Sequence, residues 1–422
     1  MIAAKHARLR DTITSYEMLD KICAAVASRK IITDRVGTMI SDIHALLENR
    51  QAARLPILFW RPQNTSVPGS TYTFEEQFND PGCMLHGQLE EVLLSIGDSI
   101  AHGSGSLNST LGGDYLGGPL CIRPNFGTIF LPAVMGLPYR LTPDAYPWLT
   151  GHLEKSEISR YLTAGSLSHA ALSDAPMMQR ACEYISYFRE RIPPFIHLYL
   201  PDTQGPFDLA HLIMGDQLFL ELYDDPPFVH EFMQFCTDLY IDASRLLKQA
   251  LDEPETECWH GHALIQGIHM RNGGVRISED TATLLSPDQI DEYVIPYDRQ
   301  ALEPFGGGFV HYCGRNDHLL QTYLDMEGVR AINFGNPEQH PFAGTIRRFR
   351  EAGVCCFGQW PVASGESPER YFRRIGDAAD GGLRGLILHL DRGAFPGKTP
   401  EQLHQLAETA AGGSSNQYSE EL

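Results

Sequence analysis

The stretch Gly306-Gly-Gly-Phe-Val-His-Tyr-Cys-Gly314 indicates how this chain folds. A run of strand length, Phe309–Cys313, follows three glycines and precedes a segment with helical spacing. Because strand and helix patterns then alternate, the sequence predicts parallel strands joined by helical crossovers. The predicted strands of this half are Phe309–Cys313, Ala331–Phe334, Val354–Phe357 and Leu386–Leu390, and the helices are Asp317–Met326, Phe342–Glu351 and Pro368–Ala379.

The first part of the chain continues the pattern with wider spacing. Its predicted strands are Pro56–Trp60, Leu120–Arg123, Ile196–Leu200 and His262–Ile268, and its helices include Phe228–Ala250 and Pro287–Gln300. Eight strands separated by helices predict an α/β fold of the (β/α)₈ barrel type, also called a TIM barrel.

The barrel prediction divides the chain into three parts. Residues 1–54 form an N-terminal helical extension, in which Met39, Ile43, Leu46 and Leu47 recur at helical spacing. Residues 55–408 form the barrel. Residues 409–422 are rich in glycine and serine, and we expect a disordered tail there.

Composition restricts the partners and the compartment. The chain has 33 Lys+Arg against 53 Asp+Glu, a formal charge of −20, which argues against nucleic acid or an anionic membrane as the main partner. No apolar run approaches the roughly 18 residues of a membrane span, and the start lacks the apolar region of a signal peptide. The odd number of cysteines, 9, then favours reduced thiols and a cytoplasmic location.

Polar residues at the carboxyl ends of the predicted strands are candidates for the site, because active sites of (β/α)₈ barrels lie there. The catalytic candidates are Asp202, Gln204 and Asp280. The turn that contains Asp202 and Gln204 has an equally good structural explanation in its Gly-Pro pair. The substrate-binding candidates are Arg61, Arg123, Asn125, His269, Arg271, Asn272, Asn333 and Gln359.

The pair His311 and Cys313 is a candidate for metal binding. Residues two apart in a strand point to one face, so both side chains can reach one ion, and nitrogen with thiolate favours Zn²⁺. The alternative is a buried cysteine beside a hydrogen-bonded histidine. His260 and His262 also share a face if their segment is extended, and they could then bind a metal ion. The alternative is that they form hydrogen bonds inside the barrel.

Several short motifs together resemble the uroporphyrinogen decarboxylase superfamily over about Leu55 to Glu408. They are Gln204-Gly-Pro-Phe207 followed by Asp225-Pro226, Ser286-Pro287 with Pro296-Tyr297, His311-Tyr-Cys-Gly314, and Phe357-Gly-Gln-Trp-Pro361. The resemblance implies a (β/α)₈ barrel with extra N-terminal helices.

One branch of that superfamily contains corrinoid-dependent methyltransferases, whose thiol-using members hold zinc with a His-x-Cys pair and a later cysteine on the last strand. His311 and Cys313 match the pair, whereas the last strand here has no cysteine. The resemblance therefore implies Asp391, or else His389, as the third zinc ligand, or a site without zinc, as in members that use tetrahydrofolate. The implied function is methyl transfer between a methylated corrinoid protein and a small thiol or tetrahydrofolate.

Two other functions stay open from the sequence. Uroporphyrinogen decarboxylases proper carry two arginines that bracket Gln-Ala-Gly after the first strand, and Phe59-Trp-Arg61-Pro-Gln-Asn-Thr matches only the first arginine. Decarboxylation of a polyacidic tetrapyrrole, with arginines as carboxylate clamps, is the first alternative. Binding of a small molecule without turnover is the second.

Overall fold

The computed structural model of the protein describes residues 16–24, 27, 30–60, 72–96, 118–164, 169–262, 265–379, 385–391 and 393–412. Arg61, a predicted substrate-binding residue, lies outside them. The strands are β1 (Ile57–Trp60), β2 (Leu120–Ile122), β3 (Tyr139–Arg140), β4 (Trp148–Leu149), β5 (Ile196–Leu198), β6 (Cys258–His260), β7 (Ile268–Met270), β8 (Val275–Ser278), β9 (Gly308–Tyr312), β10 (Val329–Phe334), β11 (Cys355–Gln359) and β12 (Leu386–Asp391).

Helices precede, connect and follow these strands. They are α1 (Lys30–Leu47), α2 (Phe74–Asn79), α3 (Pro81–Ile96), α4 (Phe130–Val134), α5 (Lys155–Ala164), α6 (His169–Asp174), α7 (Pro176–Arg189), α8 (Pro206–Met214), α9 (Gln217–Asp224), α10 (Pro226–Leu251), α11 (Pro287–Tyr293), α12 (Ile295–Leu302), α13 (Asp317–Asp325), α14 (Phe342–Ala352), α15 (Pro368–Ala378) and α16 (Pro400–Gly412).

A parallel sheet of six strands forms the centre of the fold, in the order β1-β12-β11-β10-β9-β8. Strands β2 and β5 pair in parallel with each other, and β6 and β7 form an antiparallel pair. Parallel strands need helical crossovers, which agrees with the alternation read from the sequence. The predicted α/β class is confirmed.

The central strands are buried on both faces, and their side chains divide between two hydrophobic clusters. Val310, Ile332 and Leu388 belong to a large cluster with the surrounding helices. Phe309 and Ile387 face the other way, into a smaller cluster that also contains Ile43 of α1. Alternate side chains of a strand point to opposite faces, so the two clusters lie on opposite faces of the sheet. We call the face with the smaller cluster the inner face. Helix α1 packs against β7 and β12 at this inner cluster.

The predicted strand His262–Ile268 is wrong. His262 lies in a turn, Gln266 makes an antiparallel bridge with Leu120, and Ile268 begins β7, which pairs antiparallel with β6. Ala263 and Leu264 lie outside the described residues. The next parallel strand is β8, which begins after Gly273 and Gly274. A Cβ atom at Gly274 would collide with the carbonyl oxygen of Glu255, so glycine is required for the close approach of these segments.

The last helix ends at Gly412, so residues 409–412 of the segment predicted to be disordered are helical. The rest of that segment lies outside the described residues. Of the helices that the structure describes, none is long and apolar enough to cross a membrane.

Gln266 joins β1 to the hairpin, because its Oε1 accepts the backbone N–H of Phe59 at 2.8 Å in a buried position. We predict that Gln266→Leu lowers the free energy of unfolding by about 1–3 kcal/mol, since a buried N–H loses this acceptor. Urea unfolding measures the change. The control is Gln51→Leu at an exposed position, and equal stability of the two variants would contradict the prediction.

Candidate metal site at the carboxyl ends of the strands

Asp280, His311 and Cys313 bring three metal-ligand atoms within 4.8 Å of one another. The Nε2 atom of His311 lies 3.5 Å from Cys313 Sγ and 3.5 Å from Asp280 Oδ1. His311 is buried, whereas Asp280 and Cys313 are partly buried, with 44% of the Asp280 side chain exposed. A nitrogen, a sulfur and an oxygen donor therefore converge at one point that remains accessible from one side.

The parallel register of β8 and β9 produces this convergence. Ser278 pairs with His311, and the N–H of Glu279 donates to the carbonyl oxygen of His311 at 2.9 Å. Asp280 follows directly, and its Oδ1 accepts the backbone N–H of Cys313 at 2.7 Å. The carboxyl ends of two neighbouring strands thus hold all three residues.

Asn333 on β10 fixes the tautomer of His311. Its Nδ2 donates to the carbonyl oxygen of Phe357, so its Oδ1 is the acceptor for Nδ1–H of His311, at 2.7 Å. With the proton on Nδ1, the lone pair of Nε2 faces Cys313 and Asp280. A hydrogen bond of this kind orients metal-binding histidines in proteins.

Burial and neighbouring charges set the protonation states. Burial, together with the charge of Arg276, lowers the pKa of His311 to about 4, so the imidazole is neutral at physiological pH. Burial and the nearby Asp280 carboxylate raise the pKa of Cys313 to about 12. The thiol is therefore protonated unless a cation compensates the carboxylate.

Two pairs of hydrogen bonds hold the loop that carries Asp280 against the start of α8. The Asp208 carboxylate accepts the N–H groups of Asp280 and Thr281, both at 2.8 Å. In return, Glu279 accepts the N–H groups of Phe207 and Asp208 at 3.1 and 2.9 Å. Two of these bonds satisfy backbone donors at the N-terminus of α8, and the other two fix the backbone of Asp280 and Thr281.

The Glu279 carboxyl extends this network inward. Burial and the nearby Asp298 raise the pKa of Glu279, and burial raises the pKa of Asp298 to about 7. Tyr323 donates its hydroxyl to Asp298 Oδ2 at 2.6 Å. The raised pKa values favour the neutral forms of the two carboxyl groups, because two adjacent buried negative charges are unfavourable.

A second polar group surrounds Asp202, just after β5. Arg276 Nη1 donates to Asp202 Oδ1, and Arg123 Nη2 lies 3.5 Å from Oδ2. Burial alone would raise the pKa of Asp202, but the two guanidinium groups hold it below its usual value. Gln204, in the left-handed region with φ 60°, donates its Nε2 to Asp202 Oδ1 at 2.6 Å.

Arg276 connects the two groups, because its charge also acts on His311 and Cys313. The turn of the β6–β7 hairpin places His262 beside them, with 4.2 Å between the ring centroids of His262 and His311. Burial lowers the pKa of His262 well below its usual value, so this wall of the site is neutral.

The other predicted site residues are more dispersed. Asn125 donates to the hydroxyl of Tyr146 at 3.0 Å, near Arg123 in sequence. Gln359 is exposed at the end of β11. Asp391 ends β12 and accepts the N–H of Gly393 at 2.7 Å. Among the described residues, the group of three potential metal-ligand atoms contains the Asp280 carboxylate and does not contain Asp391.

His269, Arg271 and Asn272 lie at the opposite end of the sheet from His311. The carbonyl oxygen of Asn272 accepts from Arg330, which lies near the amino end of β10, and His269 contacts His44 of α1. Their expected position at the carboxyl end rested on the wrong strand, because β7 runs antiparallel to β6 and returns the chain to the amino ends.

Two residues near the candidate site, Asp208 and Arg276, were not predicted from the sequence. Arg276 could have been found from the alternation Val-Arg-Ile-Ser of β8, which places Arg276 and Ser278 on one face. Asp208 carries a weaker signal, an acidic residue in the first turn of a helix that begins with proline.

No protein-family model and no curated protein matches this chain. Among solved structures, the chain is similar to a methyltransferase from Methanosarcina mazei, with a TM-score of 0.57 and 13% sequence identity. The similarity covers 89% of this chain and 98% of that chain. At this identity the comparison establishes a shared fold that extends over nearly the whole of both chains.

Gly335 leaves room for the thiol, because a Cβ atom there would collide with Cys313 Sγ. We predict that Gly335→Ala displaces Cys313 and weakens Co²⁺ binding at least tenfold, with loss of the thiolate-to-cobalt absorption band. Optical titration measures both effects. The control is Gly344→Ala, where an added Cβ has nothing within 4 Å, and equal Co²⁺ affinity in both variants would contradict the prediction.

Proposed function

We propose that this protein is a methyltransferase that moves a methyl group between a methylated corrinoid protein and a small acceptor, a thiol or tetrahydrofolate. The observation that carries the proposal is the group of Asp280, His311 and Cys313 at the carboxyl ends of parallel strands. The methyltransferase from Methanosarcina mazei, with a similar fold, supports the reaction class.

The residues fit Zn²⁺ as the metal. Catalytic zinc sites combine three protein ligands of mixed nitrogen, sulfur and oxygen type with one open position. Here the imidazole is neutral, its Nδ1–H is engaged by Asn333, and the carboxylate side is partly exposed. Bound zinc would stabilise a thiolate at neutral pH and thereby make it nucleophilic.

The remaining residues of the site would bind and orient the acceptor. The Asp280 carboxylate loses contact with solvent on one side only, because its Oδ1 accepts the backbone N–H of Cys313. Arg276 and Arg123 provide two positive charges against the single charge of Asp202, which favours an acceptor with an acidic group. The buried histidine His262 excludes water from the inner wall.

We also propose that the eight parallel strands close into the barrel expected from the sequence. Strand β1 ends the six-stranded order on one side, and Gln266 joins it to β2 through the Phe59 N–H bond and the bridge to Leu120. On the other side, Gly205 after β5 donates its N–H to Ser278 of β8 at 2.9 Å. With these contacts, the eight strands would form a closed ring. Between β1 and β2, residues of the β6–β7 hairpin would replace part of the direct pairing between the two strands.

A decarboxylase acting on a polyacidic tetrapyrrole is the second candidate, favoured by the arginines around Asp202. It would need cationic clamps and no metal. Incubation with uroporphyrinogen separates the two candidates: release of carbon dioxide by protein freed of metal supports the decarboxylase and excludes the proposed methyl transfer as the main activity.

The metal assignment predicts which substitutions remove zinc. Cys313→Ser and Asp280→Asn should each lower zinc affinity at least about a hundredfold, because each removes a ligand. Asp391→Asn should leave zinc content unchanged, and so should Cys182→Ser, a control in α7. Metal analysis of the purified variants measures this. Zinc loss in Asp391→Asn with retention in Asp280→Asn would reverse the assignment.

The same variants test the activity. With methylcobalamin as donor and a simple thiol or tetrahydrofolate as acceptor, the wild type should demethylate the donor, as followed in its visible spectrum. Cys313→Ser should lose at least a hundredfold in rate with the thiol. Binding of the donor without turnover by zinc-loaded protein would instead support a non-catalytic binding role.

Zinc affinity should rise about tenfold per pH unit between pH 6 and 8. The raised pKa of Cys313 keeps its thiol protonated there, so binding releases one proton, whereas His311 with a pKa of about 4 is already neutral and releases none. Competition with a chelator at several pH values measures the slope. A slope near zero would mean that the thiolate is not a ligand.

A further inference from the structure

A cavity of about 230 Å³ lies at the amino ends of the strands, at the opposite end of the sheet from Asp280, His311 and Cys313. Three parts of the fold meet around it: the end of α1, the segment after β7 and the start of β10. Its lining residues include His44, Leu47, Glu48, Arg271, Asn272 and Arg330.

No carboxylate of the described residues forms an ion pair with the two arginines of this cavity, although the charge of Arg271 acts on Glu48. Arg271 is exposed and makes no ion pair or hydrogen bond within the described chain. Arg330 donates only to carbonyl oxygens, those of Asn272 and Gly306. Glu48 is the one carboxylate of the lining, and Arg50 already binds it with two N–H groups at 3.1 and 2.6 Å.

Two arginines, Arg271 and Arg330, line this one cavity in a chain that carries 53 acidic against 33 basic residues. Two guanidinium groups that face one cavity without a carboxylate ion-pair partner create a local positive potential against the overall negative field. Guanidinium groups recognise carboxylates and phosphates through paired, charge-assisted hydrogen bonds.

The rest of the lining suits a small organic molecule. Leu47 is buried and gives an apolar wall, while the exposed carboxamide of Asn272 makes no side-chain hydrogen bond in the described chain. His44 is held rigidly, since its Nε2 bonds to Nδ1 of His269 at 3.1 Å. The His269 ring stacks on Trp259 with 4.5 Å between centroids.

We propose that this cavity binds a small oxyanion, a carboxylate or a phosphate, with Arg271 as its main contact. The ligand would touch α1 and two strand ends together, and binding would therefore tie α1 to the amino end of the sheet. The site is separate from the proposed zinc site and does not depend on methyl transfer.

Thermal unfolding at constant ionic strength tests the proposal, with inorganic phosphate and succinate as probes and chloride as the reference. We expect a saturable rise in Tm with at least one probe. Arg271→Gln should weaken that binding at least tenfold without changing zinc content. Arg370→Gln, another exposed arginine, should bind like the wild type, and Glu48→Gln should bind more tightly because a negative charge is removed.

The two probes distinguish the ligand classes. A response to phosphate alone identifies a phosphate site, and a response to succinate alone identifies a carboxylate site. No response to either probe, or equal binding by the wild type and Arg271→Gln, would overturn the proposal. Diffraction from crystals soaked in tungstate adds a direct measurement: its anomalous peak should lie beside Arg271 and vanish in Arg271→Gln.

Discussion

The burial of the central strands on both faces is the constraint on which the rest of the structure depends. Each strand must alternate between the cluster under the helices, which holds Val310, and the inner cluster, which holds Phe309. With that alternation, the inner position after Phe309 on β9 is His311, and the inner position after Ala331 on β10 is Asn333. His311 and Asn333 occupy those inner positions on adjacent strands and therefore bond to each other.

The buried carboxyl groups around the site are stabilised in two different ways. Asp202 remains charged because Arg276 and Arg123 compensate the cost of its burial. The raised pKa values of Glu279 and Asp298 instead favour their neutral forms, which lowers the cost of placing two carboxyl groups together in the core. Such networks are costly when incomplete, so they hold the loop that carries Asp280 in one conformation.

The two ends of the sheet differ in chemistry for a structural reason. At the carboxyl end, loops that follow the strands bring donors for a metal together. At the amino end, α1 and the β6–β7 hairpin fill the interior with apolar side chains and leave a cationic cavity at the edge. The hairpin links the ends, because its turn places His262 near His311 while its outgoing strand leads to Arg271.

Local sequence patterns were sufficient to predict part of the fold and part of the candidate site. The α/β class follows from alternating strand and helix segments, and the pairing of His311 with Cys313 follows from their separation by one residue in a strand. The misassigned strand His262–Ile268 shows the limit: a short apolar run has the same composition in a hairpin turn as in a parallel strand. Because of this error, the sequence prediction placed three residues at the wrong end of the sheet, namely His269, Arg271 and Asn272.

The sequence by itself determined which residues could share a face, because that depends only on the two-residue repeat of a strand. Only the tertiary structure decided that Asp280, rather than Asp391, lies beside His311 and Cys313. The physical reason is register: the ladder between β8 and β9 sets which loop residue reaches Cys313, and no property of the local sequence encodes that distance.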